Sequence, residues 1–458
     1  MNDEGAFLAA IIAQPDDDTV RLVFADWLQE HGQPERAEFI RLQIRESHVP
    51  PGSAEGQRLS NKATGLFRKN EKSWLADFPA GLGLYVSETH FERGFFKKLH
   101  TTAAKFSKIP KRLWAKHPIQ ELELYAARGK LDRVLALPQL NRIREIILSA
   151  SSFDKGLLAS DLNALEICPN LTGVRSLRLI TQVGNPLVVA LARCPSLRGL
   201  ECLILSDDNL DHEGMTVLAK VGADNLRRLK RLKLNSRRIS AGMAEVLARA
   251  PALAELEELS ILRGDGDDAG RIGSAGAAAL ARSPHLTKLP ELLLEHQGIG
   301  PEGARALAET RHLTGLRKLW LGGNPLNAAG VRALVRGPWT ELTELRLNSC
   351  ELEDDSAEAL AESGRLTALT VLDLAFNRIG SAGAVALSRA TWLKGLVGLI
   401  LTENPIGDEG ASALCEGTTL ENLQMLRVPS PHGEFSPAVM KALEKRFGDD
   451  AFAYTFFP

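Results

Sequence analysis

The sequence predicts an α/β solenoid of stacked strand–helix units, preceded by a small all-helical domain. Two observations predict the solenoid. Leu366, Leu369, Leu372, Leu374, Asn377 and Ile379 follow the spacing L-x-x-L-x-x-L-x-L-x-x-N-x-I, and Gly383-Ala384-Val385-Ala386-Leu387 comes next. The same pattern returns with Leu393, Leu396, Leu399, Leu401, Asn404 and Ile406, then Gly410 to Leu414. A third observation predicts the helical domain: the first 45 residues lack this pattern and show helical spacings instead.

Each element follows from local chemistry. The L-x-L step has period two, so it is a strand with both leucines on one side. Segments such as Gly303-Ala304-Arg305-Ala306-Leu307-Ala308 carry good helix formers at helical spacing. One such unit cannot bury its apolar face, but stacked neighbours build a continuous core. Anchors fall at Leu171, Leu197, Leu226, Leu253, Leu286, Leu313, Trp339, Leu366, Leu393 and Leu420. Weaker units precede them, giving about twelve units of about 27 residues over 113–430. Asn324, Asn377 and Asn404 stand at the turn after the strand, where an amide can satisfy backbone groups. Arg237, Gln297 and Cys350 replace it elsewhere. An insertion, Gly264 to Ala269, lengthens one connection.

The helical domain spans 1–48. Asp17 or Asp18 is the expected N-cap of its second helix, Gly32 the residue past its end, and Glu35 to about Ser47 the third helix. Pro50, Pro51, Gly52, Ser53 and Gly56 predict a linker over 49–65. Residues 66–112 are then expected to cap the solenoid, and 431–458 to close its other end with Phe447, Phe452, Phe456 and Phe457.

The repeats resemble the leucine-rich-repeat family, in its ribonuclease-inhibitor-like subclass. That resemblance implies a curved solenoid with parallel strands on the concave face and helices on the convex face. It also implies binding rather than catalysis, with some members regulating GTPases or sensing ligands. Residues Pro15 to Asp17, Arg21 to Leu28, Glu30 to Gly32 and Arg36 to Gln43 resemble the repeat-companion domain at the N-terminus of some bacterial leucine-rich-repeat proteins. No chemistry is implied by that likeness.

Composition excludes several classes. The chain has 458 residues, a net charge of −2, 44% hydrophobic and 24% charged residues, which is not a disordered composition. Near-neutrality argues against a wholly basic nucleic-acid binder. No apolar run approaches the roughly 20 residues of a bilayer span. Acidic Asp3 and Glu4 precede the first apolar stretch, unlike a secretory signal. Five cysteines without CxxC spacing are expected to be reduced thiols in the cytoplasm.

Candidate chemistry is sparse. Asp26, Trp27, Glu30, His31 and Glu38 form an acidic-aromatic cluster, read as helix-surface pairing rather than a metal or base site. The Asp265 to Gly270 loop lacks the ligands calcium needs at Ala269 and Gly276. His296 and His312 lack a zinc-motif partner, and no phosphate loop or G-x-S-x-G occurs. Two basic runs, 93–120 and 226–238, would suit a polyanion. The residue between the two strand leucines points away from the core. Along the array this row includes Lys233, Leu293, Trp320, Arg346 and Asp373. An apolar residue, a Trp and an Arg in consecutive units match the make-up of protein hot spots.

The expected function is therefore a non-catalytic protein-interaction module that binds a protein partner on its concave face. No enzyme activity, cofactor or metal is expected, nor a membrane, and the chain is expected to be a cytoplasmic monomer. Two alternatives stand beside it: regulation of a partner enzyme, GTPase-activating or inhibitory, and polyanion or nucleic-acid binding through the basic runs, the less favoured partner class.

Overall fold

A computed structural model describes residues 3–50, 52–78, 86–149, 157–207, 209–263, 270–429, 435–448 and 451, without the side chains of 221–223. The chain divides into two compact units, residues 1–182 with 194–200, and 183–193 with 201–458.

In the first unit three helices form as the spacing predicts: α1 (Asp3–Ala13), α2 (Asp18–Glu30) and α3 (Pro34–Ser47). Asp17 caps α2, its carboxylate accepting from Thr19 N–H at 2.8 Å, and Gly32 leaves the helix at φ +78°. Ile11, Phe24, Ala25, Leu28, Ala37, Ile40 and Ile44 form the helical core. The expected linker over 49–65 is corrected by a fourth helix, α4 (Ala54–Trp74). Ser53 caps it, accepting from Gly56 N–H at 3.1 Å. The Pro/Gly/Ser cluster is thus a turn and a cap, and Leu59, Ala63 and Phe67 beyond it form a buried helical stripe.

A hairpin follows, β1 (Phe91–Glu92) and β2 (Phe95–Phe96), and then β3 (Lys98–Thr102), β4 (Glu121–Tyr125), β5 (Glu145–Ser149) and β6 (Ser176–Thr181). Strands β3 to β6 are parallel, each paired with its neighbour in sequence. The parallel ladder thus starts at Lys98, inside the span expected to be a cap. Phe95 of the hairpin enters the helical core. Gln43 holds the hairpin on α3, donating to Phe91 O at 3.2 Å and accepting from Gly94 N–H at 2.8 Å. Asp16 adds an ion pair to Arg144 at 2.6 Å, so the helical segment packs on the first repeats.

Arg36 sits among aromatics, its guanidinium 4.9 Å from the Trp74 ring and 5.4 Å from Phe39, and it donates to Gly94 O. Burial pushes it down to about 10, so it remains charged at neutral pH. His117 lies in the same aromatic layer, and its Nδ1 accepts from Phe96 N–H at 3.3 Å. Burial, aided by Arg36, pushes its imidazole down to about 3. As pH falls below the unfolded value of about 6.5, the unfolded chain takes the proton and the folded chain does not. Stability is complete above about 6.5 and declines toward pH 3, by up to about 1.4 kcal/mol per pH unit. From pH 7 to 5 the protein should lose about 2 kcal/mol more than His117→Gln in urea unfolding. Parallel losses would remove His117 as the cause.

The second unit repeats strand and helix. Its strands are β7 (Cys202–Asp207), β8 (Arg231–Ser236), β9 (Glu258–Arg263), β10 (Glu291–Leu293), β11 (Lys318–Trp320), β12 (Glu344–Arg346), β13 (Val371–Asp373), β14 (Gly398–Ile400) and β15 (Met425–Arg427). All are parallel and in sequence order. Leu292, Leu319, Leu345, Leu372, Leu399 and Leu426 are register partners and all are buried. The stacking predicted from spacing is thus realised, and the fold class is α/β.

The asparagines brace the turns. Asn324 accepts from Gln297 and Ile299 N–H at 3.0 and 2.9 Å, and donates to Leu294 and Leu321 carbonyls, both at 2.8 Å. Where the amide is missing, other groups substitute. The Cys350 thiol donates to Leu321 O at 3.2 Å, Gln297 accepts from Ile272 N–H at 3.3 Å, and Ser236, beside Arg237, donates to Leu210 O at 2.9 Å. The final helix begins at Pro437, and Phe452, Phe456 and Phe457 lie outside the described residues, as does the 264–269 insertion.

Candidate functional site on the strand face

Register places the predicted row side by side. Leu293 pairs with Trp320, Trp320 with Arg346, and Arg346 with Asp373. Lys233 pairs with Ser260, which pairs with Leu293. All five predicted residues therefore lie in one row across β8 to β13. Their exposure departs from the expectation. Leu293 is 6% exposed and Asp373 4%, although strand alternation aims both away from the leucine core. Alternation fixes only direction. Neighbouring strands about 4.8 Å away supply side chains that cover the row. Leu293 is thus part of the floor, not an exposed anchor.

Trp320 and Arg346 form the centre. The guanidinium lies 3.7 Å from the indole centroid, a cation–π stack. Arg346 Nε also donates to Glu344 Oε1 at 2.7 Å, with both side chains largely covered. Two acids flank the pair. Burial raises the Asp373 carboxyl above its ordinary range, against Ala375 N–H and Arg346, which lower it. Burial raises Glu295 as well, and Arg346 opposes it. Glu295 and Glu344 stand at the outward positions that strand alternation assigns them, but neither is among the residues expected from the sequence to contact a partner. The signal that could have found them is an excess of acids over bases at outward positions of β10 to β13.

Elsewhere on this face two lysines are matched. Lys233 pairs with Glu258 at 2.6 Å and Lys318 with Glu291 at 3.0 Å. This matching also alters the basic runs. In 226–238, Lys230 pairs with Glu257 at 3.0 Å and Arg238 with Asp211 at 3.8 Å. In 93–120, Arg93 pairs with Asp18 at 3.4 Å, Lys98 with Glu123 at 3.2 Å, and Lys97 with Glu121 at 3.1 Å. Part of each run, though without an acid in sequence, therefore meets acids in space.

The N-terminal cluster resolves into pairs. Asp26 binds Arg41 at 2.6 Å and Glu38 binds Arg45 at 3.1 Å. His31 stacks on Trp27 at 4.0 Å, and its Nδ1 lies 2.8 Å from Trp27 O. Among the described residues no three His, Cys, Asp or Glu side chains converge as metal ligands would. The described cysteines are all free, and no described helix is long and apolar enough to cross a membrane.

Comparison with known proteins bears on the second unit. The family described as "Leucine Rich repeat" matches residues 340–361, 366–388 and 396–415. No curated protein matches the chain. Among solved structures, an internalin from Listeria monocytogenes is 18% identical, over 70% of this chain and 83% of that one, with a TM-score of 0.40. A TLR13–ssRNA13 complex is 17% identical over 73% of this chain and 42% of the TLR13 chain, with a TM-score of 0.43. The chain therefore spans less than half of the TLR13 chain it matches. The three matched segments contain β12, β13 and β14 with the helices that follow them, and the second unit thus contains leucine-rich repeats.

Proposed function

We propose that the chain is a non-catalytic protein-interaction module whose protein partner sits on the strand face of the second unit. The observation that carries this reading is the Trp320–Arg346 stack, held in place by Glu344 at the centre of a regular strand row. Such a pair is a pre-ordered anchor: it loses little conformational entropy on binding. Lys233 and Asp373 flank it, and Leu293 supplies an apolar floor. The partner is bound by the monomer, in the cytoplasm, where thiols such as the buried Cys168, Cys194, Cys202 and Cys350 stay reduced. Regulation of a partner enzyme would be a consequence of the same contact, read as a change in the partner's turnover.

The test compares the intact chain with Trp320→Ala/Arg346→Glu in capture from native lysate at moderate salt. Leu293 is left alone because it is buried. A protein held by the intact chain should bind the double variant with about 2–4 kcal/mol less affinity, about 30-fold or more. Equal capture by both, with unchanged circular dichroism, would move the contact off this face. Recovery of nucleic acid instead would favour the polyanion alternative.

A further inference from the structure

A cleft of about 430 Å³ in the first unit, within the size range of small-ligand sites, is lined by three arginines and, among the described residues, no acid. Arg142, Arg144 and Arg175 stand outside both basic runs. The repeat brings them together. Arg144 N–H donates to Gln120 O at 2.7 Å, and Arg175 N–H donates to Arg144 O at 2.8 Å. Gln120, Arg144 and Arg175 are thus successive rungs immediately before β4, β5 and β6, about 4.8 Å apart. Arg142 joins them from the turn that leads into the Arg144 rung.

Two further observations say what the cleft takes. Gln120 also lines it, and only 7% of that residue is exposed. Its side-chain amide makes no hydrogen bond among the described residues, yet neither amide atom is sealed in the interior. Buried amides are nearly always satisfied, so an open one beside three cations is a donor for a ligand oxygen. The cleft has also admitted one oxyanion of the chain itself. Asp16 follows Pro15 of the lining, and its carboxylate accepts from Arg144 Nη1 at 2.6 Å. That bond holds the Asp16 carboxyl below its ordinary range.

Charge and shape then select the ligand. Three arginines less one carboxylate leave a charge of +2. A phosphate monoester carries about −1.5 to −2 near neutral pH. Arg142 gives one Nη1 to Trp114 O at 3.0 Å, and Arg144 gives one to Asp16. These bonds fix both guanidinium groups and leave their other donors open among the described residues. Arg175 is fixed by its own turn, donating to Thr172 O at 2.9 Å and Val174 O at 3.1 Å. Much of the remaining lining is apolar, from Ile12, Ala13, Pro118 and Ile119, and a bare anion would leave it unused.

We propose that this cleft binds a small phosphate monoester. Arg142 and Arg144 hold its oxygens with their forked donors, a geometry that matches phosphate. The Gln120 amide donates to the same group, Arg175 supplies charge, and the organic part lies on Ile12 and Ile119. The Asp16 carboxylate stands in for the ligand at Arg144 and is displaced on binding. The inference concerns the first unit alone and does not depend on the protein-binding reading.

Calorimetric titration of the full-length protein tests it. The probe is phenyl phosphate, with phenyl sulfate as its singly charged counterpart and inorganic phosphate as the bare anion. Saturable binding of phenyl phosphate is expected, with the other two each at least about fivefold weaker. Arg142→Gln, at an exposed position, should weaken phenyl phosphate by about tenfold. Arg133→Gln, at an exposed arginine outside the lining, should leave it unchanged. Asp16→Asn should tighten binding by about two- to fivefold, because it frees Arg144 from an exposed ion pair of that worth. Asp17, not Asp16, caps α2, so the helix is kept, and a merely structural role predicts no gain. No saturable binding at tens of millimolar phenyl phosphate, equal binding of phenyl sulfate, or equal weakening by Arg133→Gln and Arg142→Gln would overturn the inference. Inorganic phosphate binding as tightly as phenyl phosphate would overturn the ester assignment. Unchanged affinity in Asp16→Asn would overturn the displacement of Asp16.

Discussion

Asn377→Ala should lower the stability of the second unit by about 3–5 kcal/mol, a loss near the top of the range for single substitutions. The amide closes five hydrogen bonds at once. Its oxygen accepts from Cys350 N–H at 2.8 Å and Leu352 N–H at 3.1 Å. Its nitrogen donates to the carbonyls of Leu347 and Leu374 at 2.9 Å and Ala375 at 3.2 Å. These groups lie in the turns of two successive repeats, away from water. Alanine would leave two buried N–H groups without acceptors, at about 1–3 kcal/mol each, and carbonyls short of donors. A repeat array need not unfold in one step, so amide hydrogen exchange is the better measurement. Protection at Cys350 and Leu352 should fall most. Asn422→Ala, which removes only an exposed bond to Lys394 O at 2.7 Å, should cost under about 0.5 kcal/mol. A cost below about 1 kcal/mol for Asn377→Ala would mean that water replaces the amide and that the brace is dispensable.

That asparagine was legible from sequence because its signal is periodic. The leucine spacing set the strands, and a residue returning at a fixed offset had to serve the turn. Direction was legible too: Lys233, Leu293, Trp320, Arg346 and Asp373 do share one row. Burial was not. Whether Leu293 meets water depends on the bulk of Ser260 and Trp320 beside it, which lie on other strands. Charge balance was hidden for the same reason. Lys97 looks unpaired in its run, but Glu92 and Glu121 meet it in the fold. The aromatic layer around Arg36 gathers residues 39, 74, 91 and 95 from four separate elements, and no local pattern announces it. Residues 50–56 misled because a cap and a linker use the same amino acids. Only the apolar stripe of Leu59, Ala63 and Phe67 distinguishes them.

Gly94→Ala should cost the first unit about 3 kcal/mol or more. Gly94 sits at the hairpin tip with φ +87°, where an L side chain is strained by about 1–2 kcal/mol. Space is the larger obstacle. An added methyl would lie 2.2 Å from Ile40 Cγ1 and 2.9 Å from Ile40 Cα. The first contact could be relieved by a rotamer change, but the second is with the backbone of α3. The hairpin would have to lift, at an overpacking cost of about 1–3 kcal/mol. Lifting would also pull Gly94 N–H from Gln43 and Gly94 O from Arg36, whose charge is held in an aromatic box. Gly32→Ala separates strain from space. Gly32 has a similar φ of +78° but nothing within 4 Å of an added methyl, so it should cost only about 1 kcal/mol. The two variants can be compared by urea unfolding followed by near-ultraviolet dichroism, which reports the aromatic layer. Equal losses would show that α3 yields to the methyl and that the hairpin is not locked against it. A larger loss for Gly94→Ala, only partly restored by Ile40→Ala, would place the obstruction at the α3 backbone, because that second change removes Cγ1 and leaves Cα where it was.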